Sequence, residues 1–345
     1  MRTFQLHILA ADRVFFEGEC ESVVAPTASG QYGVQAHHSN MIAAIVQALT
    51  EFPTVEKVEF LIGGTQVNAV AMAAFLRPWE GILTATSSHL NGHEAGAVEA
   101  TGHKLLLVPT GTDGKLRPEQ LVPLLEEHRH PHTVKPRVVE IADATESGAV
   151  YTRDELSALS SFCRENGLLL YVDGARLGAA LTSPQSDLIL PDLARFTDAF
   201  TIGGTKNGAL MGEALVLVNP DLQPDFFRIK KQMGGVLAKG WLLGAQFEAL
   251  FRDGLYFEMA RHGNAMAARL QAGLKALGWQ LWVDSPTNQI FVVVDQARHA
   301  ALQELCAFED WCPVQESGHT VIRLVTCFAT APEDVDGFLA AAARL

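Results

Sequence analysis

The stretches Leu168-Leu169-Leu170-Tyr171-Val172-Asp173-Gly174-Ala175-Arg176 and Thr201-Ile202-Gly203-Gly204-Thr205-Lys206-Asn207-Gly208-Ala209 decide the fold. The first is an apolar run that stops at an aspartate, and the second closes another apolar run with glycines around a lysine. A strand that is apolar throughout is covered on both faces, as in a parallel sheet between helical layers. Ligands in such sheets sit beyond the carboxyl ends of the strands, so Asp173 and Lys206 point toward one crevice. Taken singly, each has a plainer reading: an aspartate capping the next helix, and a lysine on a surface loop.

Working outward, strands alternate with helices from residue 55. Strands are predicted at 58–62, 81–85, 104–108, 137–141, 168–172, 198–202 and 214–218. Helical patterns fall at 65–76, 92–101, 118–128, 152–166 and 188–196. This βαβα order predicts a mostly parallel sheet with helices on both sides. Beyond Pro220 a long helical stretch, 225–276, breaks around Met233-Gly234-Gly235. Strands at 289–294 and 320–325 and a helix at 332–345 follow. The first fifty residues read as β, with alternation in TFQLHIL and VFFEGECESVVAPTA, a turn at Gly30-Gln31-Tyr32-Gly33-Val34, and a helix over 41–49 capped by Ser39 or Asn40. Three units are expected: a β-rich segment at 1–50, a ligand-binding large domain at 51–225, and connecting helices with a small C-terminal domain at 226–345.

Composition narrows the function. The 345 residues carry a net charge of −13, which repels nucleic acid and anionic membrane. At 48% hydrophobic and 19% charged, the chain buries a sizeable core, and no apolar run reaches the roughly 18 residues of a membrane span. The five cysteines, Cys20, Cys163, Cys306, Cys312 and Cys327, are scattered and lack a CxxC pair, which suits reduced thiols in a cytoplasmic protein.

A lysine desolvated beyond a buried strand becomes a nucleophilic amine. Paired with a strand-end aspartate it suggests pyridoxal phosphate, which needs a lysine for the Schiff base and an acid partner for the pyridine nitrogen. Ile62-Gly63-Gly64-Thr65-Gln66-Val67-Asn68 leads from a strand into a helix and offers backbone N–H groups and the Thr65 hydroxyl to an anion. It matches neither GxGxxG nor GxxxxGK[ST], which argues against dinucleotides and nucleoside triphosphates. His89 and His93 have helical zinc-ligand spacing, but Gly92 interrupts, the sequence is not HExxH, and no third ligand is evident. No metal is expected, and an imidazole stacked on a flat ring suits His89 better.

These motifs together resemble the threonine aldolase and β-eliminating lyase family of fold-type-I pyridoxal-phosphate enzymes over about residues 58–345. The matching stretches are FLIGGTQVN, SSHLNGHEAGAVEATGHK, LLLYVDGARLGAAL, FTIGGTKNGALMGEA, KKQMGGVLAKGWLLGAQF and IRLVTCFATAPEDVD, in the family's order. The resemblance implies an α/β fold with a mostly parallel seven-stranded sheet flanked by helices, plus a small α/β domain. It implies that Lys206 holds the cofactor, Asp173 pairs with the pyridine nitrogen, and His89 stacks on the ring. It further implies that Gly64, Thr65 and Thr205 contribute to cofactor binding and that Arg176 and Arg323 grip the amino-acid carboxylate. The implied activity is that of a low-specificity L-threonine aldolase, releasing glycine and an aldehyde. Same-fold alternatives are β-elimination, transamination and racemisation.

Two departures accompany it. Where threonine aldolases place a histidine near the substrate hydroxyl, this chain has Glu146, leaving Glu146, His93 or a bound water as the base. The serine- and tyrosine-bearing opening segment of the family is not found. In its place residues 1–47 resemble the N-terminal half of the epsilon subunit of rotary ATP synthase, which suggests a fusion or chimera, and with it an inactive scaffold or a synthase-associated subunit. The family implies a homodimer or homotetramer. Residues 227–251 are mostly apolar or small, which suits a helix packed between domains or subunits and equally suits simple core packing, and Lys239 is a candidate for a neighbouring subunit's phosphate or substrate site.

Overall fold

The computed structural model describes residues 57–314 and 318–345, together with the backbone of four strands nearer the N-terminus. Those four are β1 (Phe4–Leu9), β2 (Val14–Cys20), β3 (Ser22–Thr27) and β4 (Gly30–Gln35). They pair antiparallel as β1 with β2 and β3 with β4. The stretch read as a turn, 30–34, is therefore a strand, held by pairing that a glycine-rich sequence does not advertise. The helix expected over 41–49 lies outside the described residues.

The seven expected strands form one sheet. In chain order they are β5 (Lys57–Leu61), β6 (Glu80–Ala85), β7 (Leu105–Val108), β8 (Lys135–Ala142), β9 (Leu169–Asp173), β10 (Ala199–Gly203) and β11 (Glu213–Leu217). Their spatial order is β5-β11-β10-β9-β8-β6-β7, with β11 antiparallel to both its neighbours and the other pairings parallel. The core lies on both faces of this sheet, and the residues of β9 divide between them by parity. Leu170 and Val172 join one cluster with Leu83, Ile141, Phe200 and Val216. Leu169 and Tyr171 join the other, under the helix α1 (Gly64–Phe75), with Val67, Val70 and Leu215. By the same parity Asp173 lies on the α1 side.

The short helix α2 (His89–Gly92) and a 3₁₀ turn, Glu99–Thr101, replace the single helix expected at 92–101. The chain between them passes through Ala95 at φ 51° and Gly96 at φ 72°, a left-handed excursion no helix continues through. Next come α3 (Pro118–Glu127) and α4 (Arg153–Glu165), the latter opened by a reciprocal cap in which Thr152 Oγ1 accepts from Glu155 N and Glu155 Oε2 accepts from Thr152 N. Then α5 (Leu177–Leu181), which was not foreseen, and α6 (Leu190–Phe196) complete the layer.

The long helical stretch breaks twice rather than once, giving α7 (Phe226–Gln232), α8 (Trp241–Phe251) and α9 (Leu255–Ala276). The second break is at Asp253 and Gly254, both with positive φ. A four-stranded antiparallel sheet follows, ordered β12 (Leu281–Val283), β13 (Gln289–Val294), β15 (His319–Val325) and β14 (Glu309–Val314). With α10 (Gln296–Gln303) and α11 (Pro332–Ala342) it packs against the second half of α9 through Leu270, Ile290, Leu302, Ile322 and Val335. Gly148, in the loop after β8, packs closely against Ser285 and Thr287 of the segment leading into β13. Its φ is 81°, and a β-carbon there would stand 2.2 Å from Ser285 Oγ, so only glycine fits. Gln289 Nε2 donates to Thr145 O nearby at 3.2 Å. These contacts let β15 deliver Arg323 to the large sheet.

Candidate active site

The carboxyl ends of β5, β6, β8, β9 and β10, with the start of antiparallel β11, surround one cavity of about 290 Å³. Gly63, Gly64 and Thr65 line it after β5, His89 after β6 and Glu146 after β8. Asp173 ends β9, Thr205 and Lys206 follow β10, and Glu213 begins β11. Of the expected residues, Gly64, Thr65, His89, Glu146, Asp173, Thr205 and Lys206 line this cavity; Arg176 and Arg323 do not line it and stand behind Glu146, Arg176 lining an adjoining cavity that also touches Lys206. Glu146 Oε2 lies 3.8 Å from Arg176 Nη1 and 3.4 Å from Arg323 Nη1.

Asp173 is held from two sides: Oδ1 accepts from Ala175 N and Oδ2 from Asn68 Nδ2, each at 2.9 Å. Asn68 also donates to Glu94 Oε1 at 2.8 Å, while its own Oδ1 accepts from the buried Tyr171 hydroxyl at 2.8 Å. Glu94 Oε1 in turn accepts from His89 Nδ1 at 2.9 Å, a contact that raises the imidazole's pKa. One hydrogen-bonded chain thus ties the carboxylate that ends β9 to the ring expected to stack on a ligand. Asn68 and Glu94 were missed from sequence. Asn68 sits one helical turn past the glycines of IGGTQVN, a position that could have flagged it.

Lys206 is exposed at the cavity, and desolvation by the atoms crowded around it, with the nearby Arg176 charge second, lowers its pKa, which favours the free amine a Schiff base requires. Glu213 Oε2 accepts from Gly204 N at 2.8 Å, fixing the turn that carries Lys206, and burial pushes its pKa up to about 7. At the other end, Gly63 precedes α1 at its N-cap position and supplies no side-chain cap, and a β-carbon at Gly63 or Gly64 would meet nothing within 4 Å. First-turn N–H groups of a helix have no partner within it, and the two glycines leave room beside them, an arrangement suited to an anion. An amine, a carboxylate, an imidazole and an uncapped helix start around one cavity fit pyridoxal phosphate, whose carbonyl, ring nitrogen, flat ring and phosphate they match in turn. Among the described residues there is no group of three or more side chains suited to a metal ion. Nor is any helix among them long and apolar enough to cross a membrane.

Behind this cavity Glu140 on β8 is buried, accepting from Thr84 Oγ1 and, at 3.0 Å, from Ser88 Oγ. Burial first, and the Asp173 charge second, raise its pKa from 4.5 to about 8. Between those values the folded protein keeps a proton that the unfolded chain releases, so stability falls as pH rises through that window. Glu213 and Asp143, both pushed to about 7 by burial, act in the same direction. Denaturant unfolding at pH 6, 7 and 8 should show declining stability. Glu140→Gln should flatten the slope by up to about 1.4 kcal/mol per pH unit, one proton's worth. An unaltered slope in that variant would show that Glu140 is ionised in the folded state.

The sheet order, with β11 reversed and a lysine beyond β10, is the architecture of fold-type-I pyridoxal-phosphate enzymes. Serine palmitoyltransferase of Sphingomonas wittichii shares the fold at TM-score 0.66 and 14% identity, covering 90% of this chain and 76% of that one. The Beta-eliminating lyase family model matches residues 30–297, and the chain belongs to that family. It is 35% identical over 256 residues to the low specificity L-threonine aldolase of Pseudomonas aeruginosa, covering 73% of each. It superposes on the threonine aldolase structure of Leishmania major with a TM-score of 0.86 at 42% identity, covering 90% of each chain. The likeness of residues 1–47 to the ATP synthase epsilon subunit is not borne out, because the family match begins inside that stretch, at residue 30.

Proposed function

We propose that this protein is a pyridoxal-phosphate-dependent aldehyde-lyase that cleaves β-hydroxy-α-amino acids, threonine and allo-threonine among them, to glycine and an aldehyde. The observation that carries this reading is the convergence of Lys206 and Asp173 on one cavity, in a chain whose relatives include low specificity L-threonine aldolases. When bound, pyridoxal phosphate supplies an electron sink for the pair released as the Cα–Cβ bond breaks. Lys206 would hold it through its side-chain amine. Asp173, oriented by Asn68 and Ala175 N, would pair with the pyridine nitrogen and keep it protonated. His89, steadied by Glu94, would lie against its ring, and Thr205 lines the cavity beside Lys206. Gly64 and Thr65 offer the phosphate the N-terminal amides of α1. Arg176 and Arg323 take the substrate carboxylate through charge-assisted hydrogen bonds. Of the candidate bases for the β-hydroxyl proton, Glu146 lines the cavity, whereas the exposed His93 ring stacks on Trp311 at 6.5 Å. Incubation with L-threonine should yield glycine and acetaldehyde in equal amounts. Release of 2-oxobutanoate and ammonia instead would mean β-elimination, and would sink this reading.

The large unit is assigned to 51–225 and the connecting helices with the small domain to 226–345. A homodimer or homotetramer is supported by apolar side chains at the cavity mouth. Leu210 is 90% exposed, Ile62 and Met211 45% each, and Leu242 on α8 51%. Gln246 links that helix to Leu210 and Met211 by hydrogen bonds, so the exposed side chains form one patch, of the kind that a second copy covers. Sedimentation should give at least a dimer, and Leu210→Glu should shift it toward monomer; a monomeric parent would rule the assembly out.

A further inference from the structure

Glu146 sits between two guanidiniums. Its Oε2 is 3.4 Å from Arg323 Nη1 and 3.8 Å from Arg176 Nη1, and none of the three side chains is more than 11% exposed. Arg323 also donates to Gln289 Oε1 at 3.1 Å, pairs through Nη2 with Glu309, and stacks on the Trp311 ring at 4.9 Å. Two cations are therefore balanced by two carboxylates before any substrate arrives. A substrate carboxylate docking on this pair adds a third negative charge, beside a cavity whose wall already holds Asp173 and Glu94. Like charges packed together with little water are strongly disfavoured. Arg323 Nε is buried and has no hydrogen-bond partner, so the pair retains a donor that Glu146 does not satisfy.

We propose that Glu146 is an internal competitor for the substrate carboxylate. It holds Arg176 and Arg323 in position beforehand, gives up those contacts when the α-carboxylate arrives, and, once released, accepts the proton from the β-hydroxyl oxygen. Binding and proton removal are then linked through one side chain. This deepens the aldolase reading and rests on it for the identity of the hydroxyl.

The test is Glu146→Gln in the cofactor-loaded enzyme, titrated with glycine by calorimetry and by the visible spectrum. Removing the competing charge leaves the arginines underpaired, so glycine should bind about tenfold more tightly. The KM for threonine should fall with it, while kcat falls about 100-fold or more for want of the base. Glycine affinity that is unchanged or weaker would overturn the proposal. Glu146→Ala gives a second arm: glycine should again bind more tightly, and added formate, seated where the carboxylate was, should weaken it by competition. Formate without effect on glycine affinity in that variant would likewise count against the proposal. Because the glycine titration needs no turnover, failure to cleave threonine would remove the aldolase reading while the charge competition is still decided.

Discussion

Lys206→Ala should fold normally and carry no covalently held cofactor. The side chain is exposed at the cavity and lies outside the packed core, so its loss should leave the sheet undisturbed. The turn that carries it is fixed by Glu213 and Gly204, not by the lysine. Any loss is therefore chemical. The visible absorbance of the purified protein should disappear, and glycine release from threonine should fall by at least about 10³-fold. An unchanged spectrum in this variant would remove the assignment.

The second large effect is expected at Asp173. In Asp173→Asn the side chain keeps an oxygen to accept from Ala175 N or Asn68, so β9 and the turn beyond it should survive. The negative charge is lost, and with it the protonated pyridine nitrogen. The variant should bind the cofactor and retain visible absorbance while kcat drops by about 10²–10³-fold, with KM changed far less. The split separates the two residues: one variant loses the cofactor's covalent hold, the other only its electron sink. Equal kcat in Asp173→Asn and the parent would mean that this carboxylate does not face the ring.

What could be read in advance follows from where information is local. The seven strands of the large sheet are short apolar runs punctuated by glycine and charge, so their periodicity carries them, and the residues at their ends are exposed to reading for the same reason. Asp173 and Lys206 belong to that class. Glu140 does not: it stands inside the apolar strand β8, and only the packing shows that its carboxyl is sealed in beside Thr84 and Ser88. Asn68 and Glu94 are 26 residues apart and gain meaning only when α1 and the segment after α2 are brought together against β9. The small sheet was half legible. β13 and β15 are apolar, whereas β12 is three residues long and β14 carries Pro313 and polar side chains that suit an edge. Arg323 was placed by resemblance; the structure adds that it arrives already engaged with Glu146 and Glu309.

The central claim is that the Lys206 amine and the Asp173 carboxylate address one cofactor. It is tested most directly on the unaltered chain. Borohydride reduction of the purified, cofactor-loaded protein, followed by digestion and mass mapping, fixes the cofactor to whichever amine holds it. The pyridoxyl mass should appear on the peptide containing Lys206 and on no other. A label on a different lysine, or none on a protein that shows the cofactor's absorbance, would contradict the account.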